Sequence, residues 1–62
     1  VSLVKIVVTE VQSSPALPFG GFRSEVRKNN DELYAVCESH ILKVVLDVAY
    51  IDAKLLLREE AA

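Results

Sequence analysis

Residues 30–60, NDELYAVCESHILKVVLDVAYIDAKLLLREE, run for half of the chain without a glycine or a proline. The two residue types that best interrupt regular structure are missing, so nothing in the run forces a turn. Its centre, Ile41–Ile51 (ILKVVLDVAYI), is the most apolar segment of the protein. Whether that centre is a strand or the middle of a long helix decides the fold.

Two periodicities compete there. With period two, Leu42, Val44, Leu46, Val48 and Tyr50 share one face, and Ile41, Lys43, Val45, Asp47, Ala49 and Ile51 share the other, the pattern of a half-buried strand. At about 100° per residue, Ser39, Lys43, Asp47, Lys54 and Arg58 instead fall on one stripe of a helix, with Tyr50 among them and apolar residues elsewhere. The β-branched content and the uniform Leu-Val-Leu-Val-Tyr face favour the strand. The unbroken run favours the rod.

The flanks of the segment read as helices in their own right. Asn30 is a good N-cap because its short side chain can accept from a free N–H of the first turn, and Asp31 and Glu32 then sit where the helix dipole favours negative charge. A helix over Asp31–Ser39 would pack Leu33, Val36 and Cys37 inward. Asp52 can cap a second helix over AKLLLREEAA, whose composition is strongly helix-forming. We therefore expect a strand at 41–51 between two helices.

Ahead of this half, Val1–Val11 has Val, Ile or Thr at seven of eleven positions, the stiff side chains that suit a pleated surface. It reads as a strand. Residues 12–22, QSSPALPFGGF, form a Pro/Gly loop, where two prolines, two glycines and two serines exclude a regular element. Phe19 and Phe22 bracket Gly20-Gly21, and either fold back onto the core of this chain or dock on a neighbour. Residues 23–30, RSEVRKNN, read as polar surface, with Ser24 able to cap a helix starting at Glu25.

The expected fold class is thus α/β, a small β-α-β-α unit forming a single domain over residues 1–62. Its two strands would be parallel, with a right-handed crossover. Two strands make no stable sheet in isolation, so the sheet would be completed by association. The alternative is an all-α chain with one long central helix, of histone-like form. With Val1 rather than Met at its start, the chain reads as a processed or cut protein, or as a fragment or subunit of a larger assembly.

Composition narrows function by exclusion. Hydrophobic residues make up 52% of the chain, with ten valines and eight leucines, more apolar surface than a body this small readily hides. The formal charge is −2, which supplies no electrostatic footprint for nucleic acid. No apolar run reaches the roughly 20 residues of a membrane helix, and no signal peptide is visible. The single cysteine fits a reducing, intracellular and cytoplasmic setting.

Residues able to carry chemistry are few. Cys37 and His40 lie three apart and can each bind metal, but a structural zinc site needs four ligands and no second such pair exists. We expect no metal and no cofactor. As a nucleophile–base pair they would need an activated thiolate and a third orienting group. Lys43 and Asp47 share a face on either reading, which suggests an ion pair or a polar contact. Cys37, His40 and Lys43, together with Lys5, are the residues to test for catalysis.

Residues 5–21, KIVVTEVQSSPALPFGG, resemble the second strand and Gly-Gly turn of small oligomeric tautomerases. That resemblance implies an N-terminal proline as base, where this chain has Val1. Residues 41–62, ILKVVLDVAYIDAKLLLREEAA, resemble a strand–loop–helix unit of deoxyribose-phosphate aldolases, without that family's Schiff-base lysine motif. The expected function is a non-catalytic protein–protein interaction or structural subunit, a homo-oligomer or the partner of another protein. Its interface would be formed by Phe19, Phe22, Leu42, Val44, Leu46, Val48 and Tyr50. The alternative is an oligomeric small-molecule enzyme, tautomerase-like or aldolase-like, with sites shared between subunits.

Overall fold

A computed structural model describes residues 4–61. Three strands, β1 (Lys5–Val11), β2 (Gly21–Arg27) and β3 (Leu33–Ser39), precede a single helix, α1 (Leu42–Ala61). The strands form an antiparallel meander in the order β1-β2-β3, and α1 lies on one face of it, mainly over β2 and β3. The α/β class holds; the β-α-β-α order and the all-α alternative do not.

The strand expected within residues 1–11 is present as β1, with five of its seven residues β-branched. Val1, Ser2 and Leu3 lie outside the described residues. β2 occupies a stretch that reads as polar surface, and Ser24 caps no helix there. Its alternation explains why: Ser24 and Val26 are each only 1% exposed, while Arg23, Glu25 and Arg27 carry the other face. A strand with one solvated face needs only three inward positions, and here those are Phe22, Ser24 and Val26.

Residues 31–39 are likewise strand rather than helix. Asn30 uses its capping chemistry in a hairpin turn, its Oδ1 accepting from the Glu32 N–H at 3.1 Å. The turn closes through Asp31 N–H to Lys28 O and Lys28 N–H to Glu32 O, both 2.9 Å. Asp31 takes a φ of 69°, a conformation that Asp tolerates better than most residues. Short polar side chains serve turns and caps equally well, which is why this motif misleads. A bulge opposite Val26/Arg27 then lets the consecutive residues Tyr34 and Ala35 both pack against the core.

The segment 41–51 is helical, not a strand. Its N-terminus is prepared by Ser39, whose Oγ accepts from the Ile41 N–H at 3.1 Å, and the Ile41 carbonyl then accepts from Val44 and Val45. Arg58 in the last turn meets the negative end of the dipole. Buried Val45, Ala49, Ala53 and Leu56 recur at spacings of four, four and three, a single stripe that period two cannot produce. Asp52 lies inside this helix, so it starts no second one. The helical arrangement sends Lys43, Asp47 and Lys54 outward together, whereas a buried strand would hold Lys43 and Asp47 against a neighbour.

The core is correspondingly small. Val26, Ala49, Ala53 and Leu56 form its centre, with Val4, Tyr34 and Ala35 packed around it. The alanines let the helix axis come close to β2. A helix of 20 residues is about 30 Å long, against about 23 Å for a strand of seven, so α1 outruns the sheet it covers.

Leu56 and Leu55 test this orientation, being 1% and 45% exposed. Leu56→Ala is expected to cost about 2–5 kcal/mol, enough to unfold a domain this small, and Leu55→Ala less than about 1 kcal/mol. Urea titration followed by circular dichroism measures both. Gly21→Ala should also destabilise, by about 1–3 kcal/mol, because a Cβ there would lie 2.5 Å from the Ser39 carbonyl oxygen and 2.9 Å from the His40 Cα.

Candidate functional site

The loop between β1 and β2 is built as a compact arch. Leu17 N–H donates to both the backbone oxygen and the Oγ of Ser14, and Gly20 N–H donates to the Leu17 oxygen. Gly20 is buried, at a φ of 75°, where a Cβ would stand 2.9 Å from the Val11 oxygen. This glycine lets the arch return against the end of β1. Phe22 enters β2 and is half-buried beside Glu10 and Ser39. Phe19 is 98% exposed and docks on nothing.

His40, in the connection from β3 to α1, meets this arch. It lines two adjoining open clefts, one of about 260 Å³ with Ala16, Leu17, Pro18, Phe19 and Gly20, the other of about 270 Å³ with Glu10, Phe19, Gly20, Gly21 and Phe22. Both fall below the roughly 300–1,000 Å³ of pockets that enclose a small ligand. Glu10 is a lining residue that sequence reasoning missed; it sits on the helix-facing side of β1, opposite Phe22.

The residues singled out for chemistry are not assembled. Cys37 is half-buried in β3 opposite Ser24, His40 is exposed beyond the strand end, and Lys43 is exposed in the first turn of α1. Lys5 pairs with Arg27, five rows of the sheet from Phe22, or about 17 Å. Cys37 and His40 share no helix, so their spacing of three does not align them. No cluster of three or more metal-ligating side chains occurs among the described residues.

The expected interface residues of the helix divide between its two flanks. Leu42 and Leu46, 42% and 43% exposed, lie one turn apart on one side, and Val44 and Val48 on the other. Tyr50 is 60% exposed on the outward stripe, with the Lys54 ammonium 4.6 Å from its ring centre. Lys43 and Asp47 share that stripe, but no ion pair joins them among the described residues.

The organised electrostatics lie on the sheet. On its open face Glu25 stands between Arg23 and Arg27, at 3.2 and 3.3 Å, and Arg23 also reaches Glu38 at 3.8 Å. Partial burial pushes the Glu25 carboxyl up, but the hydrogen bonds and charges of Arg27 and Arg23 outweigh it and hold the group below its ordinary value. At the other face the Tyr34 hydroxyl donates to Glu59 Oε1 at 2.9 Å and ties the end of α1 to β3. That bond, with burial and the charges of Glu59 and Asp52, raises the Tyr34 pKa.

Comparison with protein-family models, with characterised proteins and with solved structures returns no match to this chain. No described helix is long and apolar enough to cross a membrane. The strand–loop–helix of the aldolase resemblance is absent, since its strand is the first half of α1. The tautomerase resemblance retains only the strand β1 and the Gly-Gly turn.

The two shifted groups predict opposite pH limbs. Tyr34 is bound more tightly to its proton when folded, so its contribution is present below the ordinary tyrosine value of about 10 and is lost as pH rises through the raised one. Glu25 contributes above the ordinary carboxylate range and loses its contribution as pH falls through its depressed value. Thermal unfolding across pH should therefore show a flatter alkaline limb in Tyr34→Phe and a flatter acid limb in Glu25→Gln. An unchanged alkaline limb in Tyr34→Phe would mean that the bond to Glu59 does not hold α1 in solution.

Proposed function

We propose that this protein is a non-catalytic interaction or structural subunit that works by burying apolar surface against a copy of itself or another protein. The observation that carries this reading is the imbalance between its core and its surface. Among the described residues, five hydrophobic ones are buried, while fourteen large ones are exposed, from Val8 at 37% to Phe19 at 98%. Scattered apolar exposure is ordinary on a monomer. Here it recurs on β1, on both flanks of α1 and at the Phe19 tip, an extent that favours an associating surface.

The placement of the helix supports the same reading. Because α1 lies over β2 and β3, the helix-facing side chains of β1 are only partly covered, with Ile6 41% and Val8 37% exposed. Removing apolar surface from water yields about 25 cal/mol per Å², and a partner can supply what a core of this size lacks. The dispersal of Lys5, Cys37, His40 and Lys43 weighs against a shared catalytic site.

Sedimentation equilibrium over a wide concentration range, with circular dichroism on the same samples, tests the proposal. The expected result is a folded α/β spectrum together with association, either of the protein alone or on adding a partner. A stably folded monomer that neither self-associates nor retains a partner would overturn it. Cys37→Ala and His40→Ala should leave association unchanged.

A further inference from the structure

We infer that the partner is a second copy of this chain, joined through one flank of α1 in an antiparallel helix pair whose two-fold axis passes level with the Ala49–Tyr50 peptide. The inference rests on the interaction reading above and specifies its surface. α1 carries two apolar stripes, and the fold uses one of them, Val45, Ala49, Ala53 and Leu56. The second, Ile41, Val44, Val48, Ile51 and Leu55, recurs at spacings of three, four, three and four, the alternation of a coiled-coil seam. Val48 is half-buried and the other four are 39–58% exposed.

The seam is placed where another helix can reach it. At about 100° per residue it lies about 120° round α1 from the buried stripe. Tyr34 of β3 donates to Glu59, which marks the sheet side of the seam, so the seam overhangs β3 and has Asp47 and Lys54 along its solvent side. A helix laid on it passes beside the sheet without meeting it. The opposite flank offers no continuous seam, because between Leu46 and Leu57 it runs through Ala53, which is buried against the sheet.

Charge selects both the occupant and the direction. In the heptads of the seam, Asp47 and Lys54 hold the same flanking position on the solvent side, and Asp52 and Glu59 hold its counterpart on the sheet side. An antiparallel copy sets solvent side against solvent side. With Val48 facing Ile51 and Val44 facing Leu55, each Asp47 lies about 3 Å along the axis from the Lys54 of the other chain, while the two copies of Asp47, and of Asp52, stand about 7.5 Å apart. A parallel copy would set solvent side against sheet side, laying Asp47 beside Asp52 and stacking Arg58 on Arg58; its one attractive pair, Lys54 with Glu59, would compete with the Tyr34 bond. Among the described residues Asp47 has no ion-pair partner, and Lys54 rests on the exposed ring of Tyr50.

The product is an isologous two-fold dimer. Because the rotation axis is perpendicular to both helices, the two sheets lie on the same side of the helix pair and splay away from each other.

Sedimentation equilibrium on variants tests the pairing. Ile51→Ser, at the centre of the seam, should weaken dimerisation at least tenfold with an unchanged circular dichroism spectrum, and Leu46→Ser on the opposite flank should leave it unaltered. Asp47→Lys and Lys54→Asp should each weaken it about tenfold at low salt, since each turns two attractive pairs into repulsive ones. Mixed in equal amounts, those two variants should form a heterodimer at close to the unaltered affinity. In a Cys37→Ser background, Val44→Cys and Leu55→Cys should form a disulfide on mild oxidation when mixed and none when alone, because two copies of residue 44 stand about 16 Å apart along the antiparallel seam. If the protein associates but Ile51→Ser has no effect, or if Val44→Cys alone forms the disulfide, this pairing is overturned while the interaction reading stands. If the protein is a folded monomer throughout, the pairing is overturned whatever else it binds.

Discussion

The structure depends on how closely α1 can approach β2. Ala49 and Ala53 present almost no side chain to the sheet, so Leu56 packs in one cluster with them and Val26, while Val45 is fully buried at the other end of the stripe. A larger residue at either alanine would lift the helix and lose dispersion contacts along its length. Everything else in the fold accommodates this contact. The meander supplies a central strand whose buried inward residues, Ser24 and Val26, are small, and the tight connection Ser39–His40–Ile41 turns the chain back so that the helix runs over β3 and β2.

That same economy limits what the core can cover. One helix has a contact stripe about 100° wide, which suffices for two strands and not for three. β1 is therefore held chiefly by its ladder to β2, with Val4 as its side-chain anchor in the core. The apolar flanks of α1 follow from the same cause, because a helix this rich in leucine and valine has more apolar circumference than one small sheet can contact. The excess apolar composition and the one-sided architecture are two expressions of a single mismatch.

How much of this was legible in the sequence differs from element to element, for physical reasons. β1 was legible because a run of β-branched residues admits few other forms. The arch over residues 12–20 was legible because Pro and Gly act locally, and Gly20 does take positive φ. α1 was half legible: the stripe of Lys43, Asp47 and Lys54 is the solvent face of the actual helix, but valine-rich stretches suit strands locally and only the sheet beneath them decides the matter. β2 and β3 were hidden by polar residues with double meanings. Ser24 and Asn30 resemble caps, yet one is a buried small residue opposite Val8 and Cys37, and the other makes a turn. The alternation Phe22-Ser24-Val26 against Arg23-Glu25-Arg27 was present and would have identified β2.

The candidate surfaces were legible as residue types and not as places. Phe19 is 98% exposed where the arch lines the two open clefts, whereas Phe22, three residues on, belongs to a strand and is half-buried. Leu42, Val44, Leu46, Val48 and Tyr50 make one face only if the segment is extended; wound into a helix, the same five are distributed around it, and their apolar character serves two flanks in place of one. Edges, by contrast, are invisible until strand order is known. The meander leaves β1 and β3 as the edges, and the bulge that lets Tyr34 and Ala35 both serve the core also disrupts the edge of β3. The contact that secures the helix thereby leaves β1 as the only regular edge among the described strands.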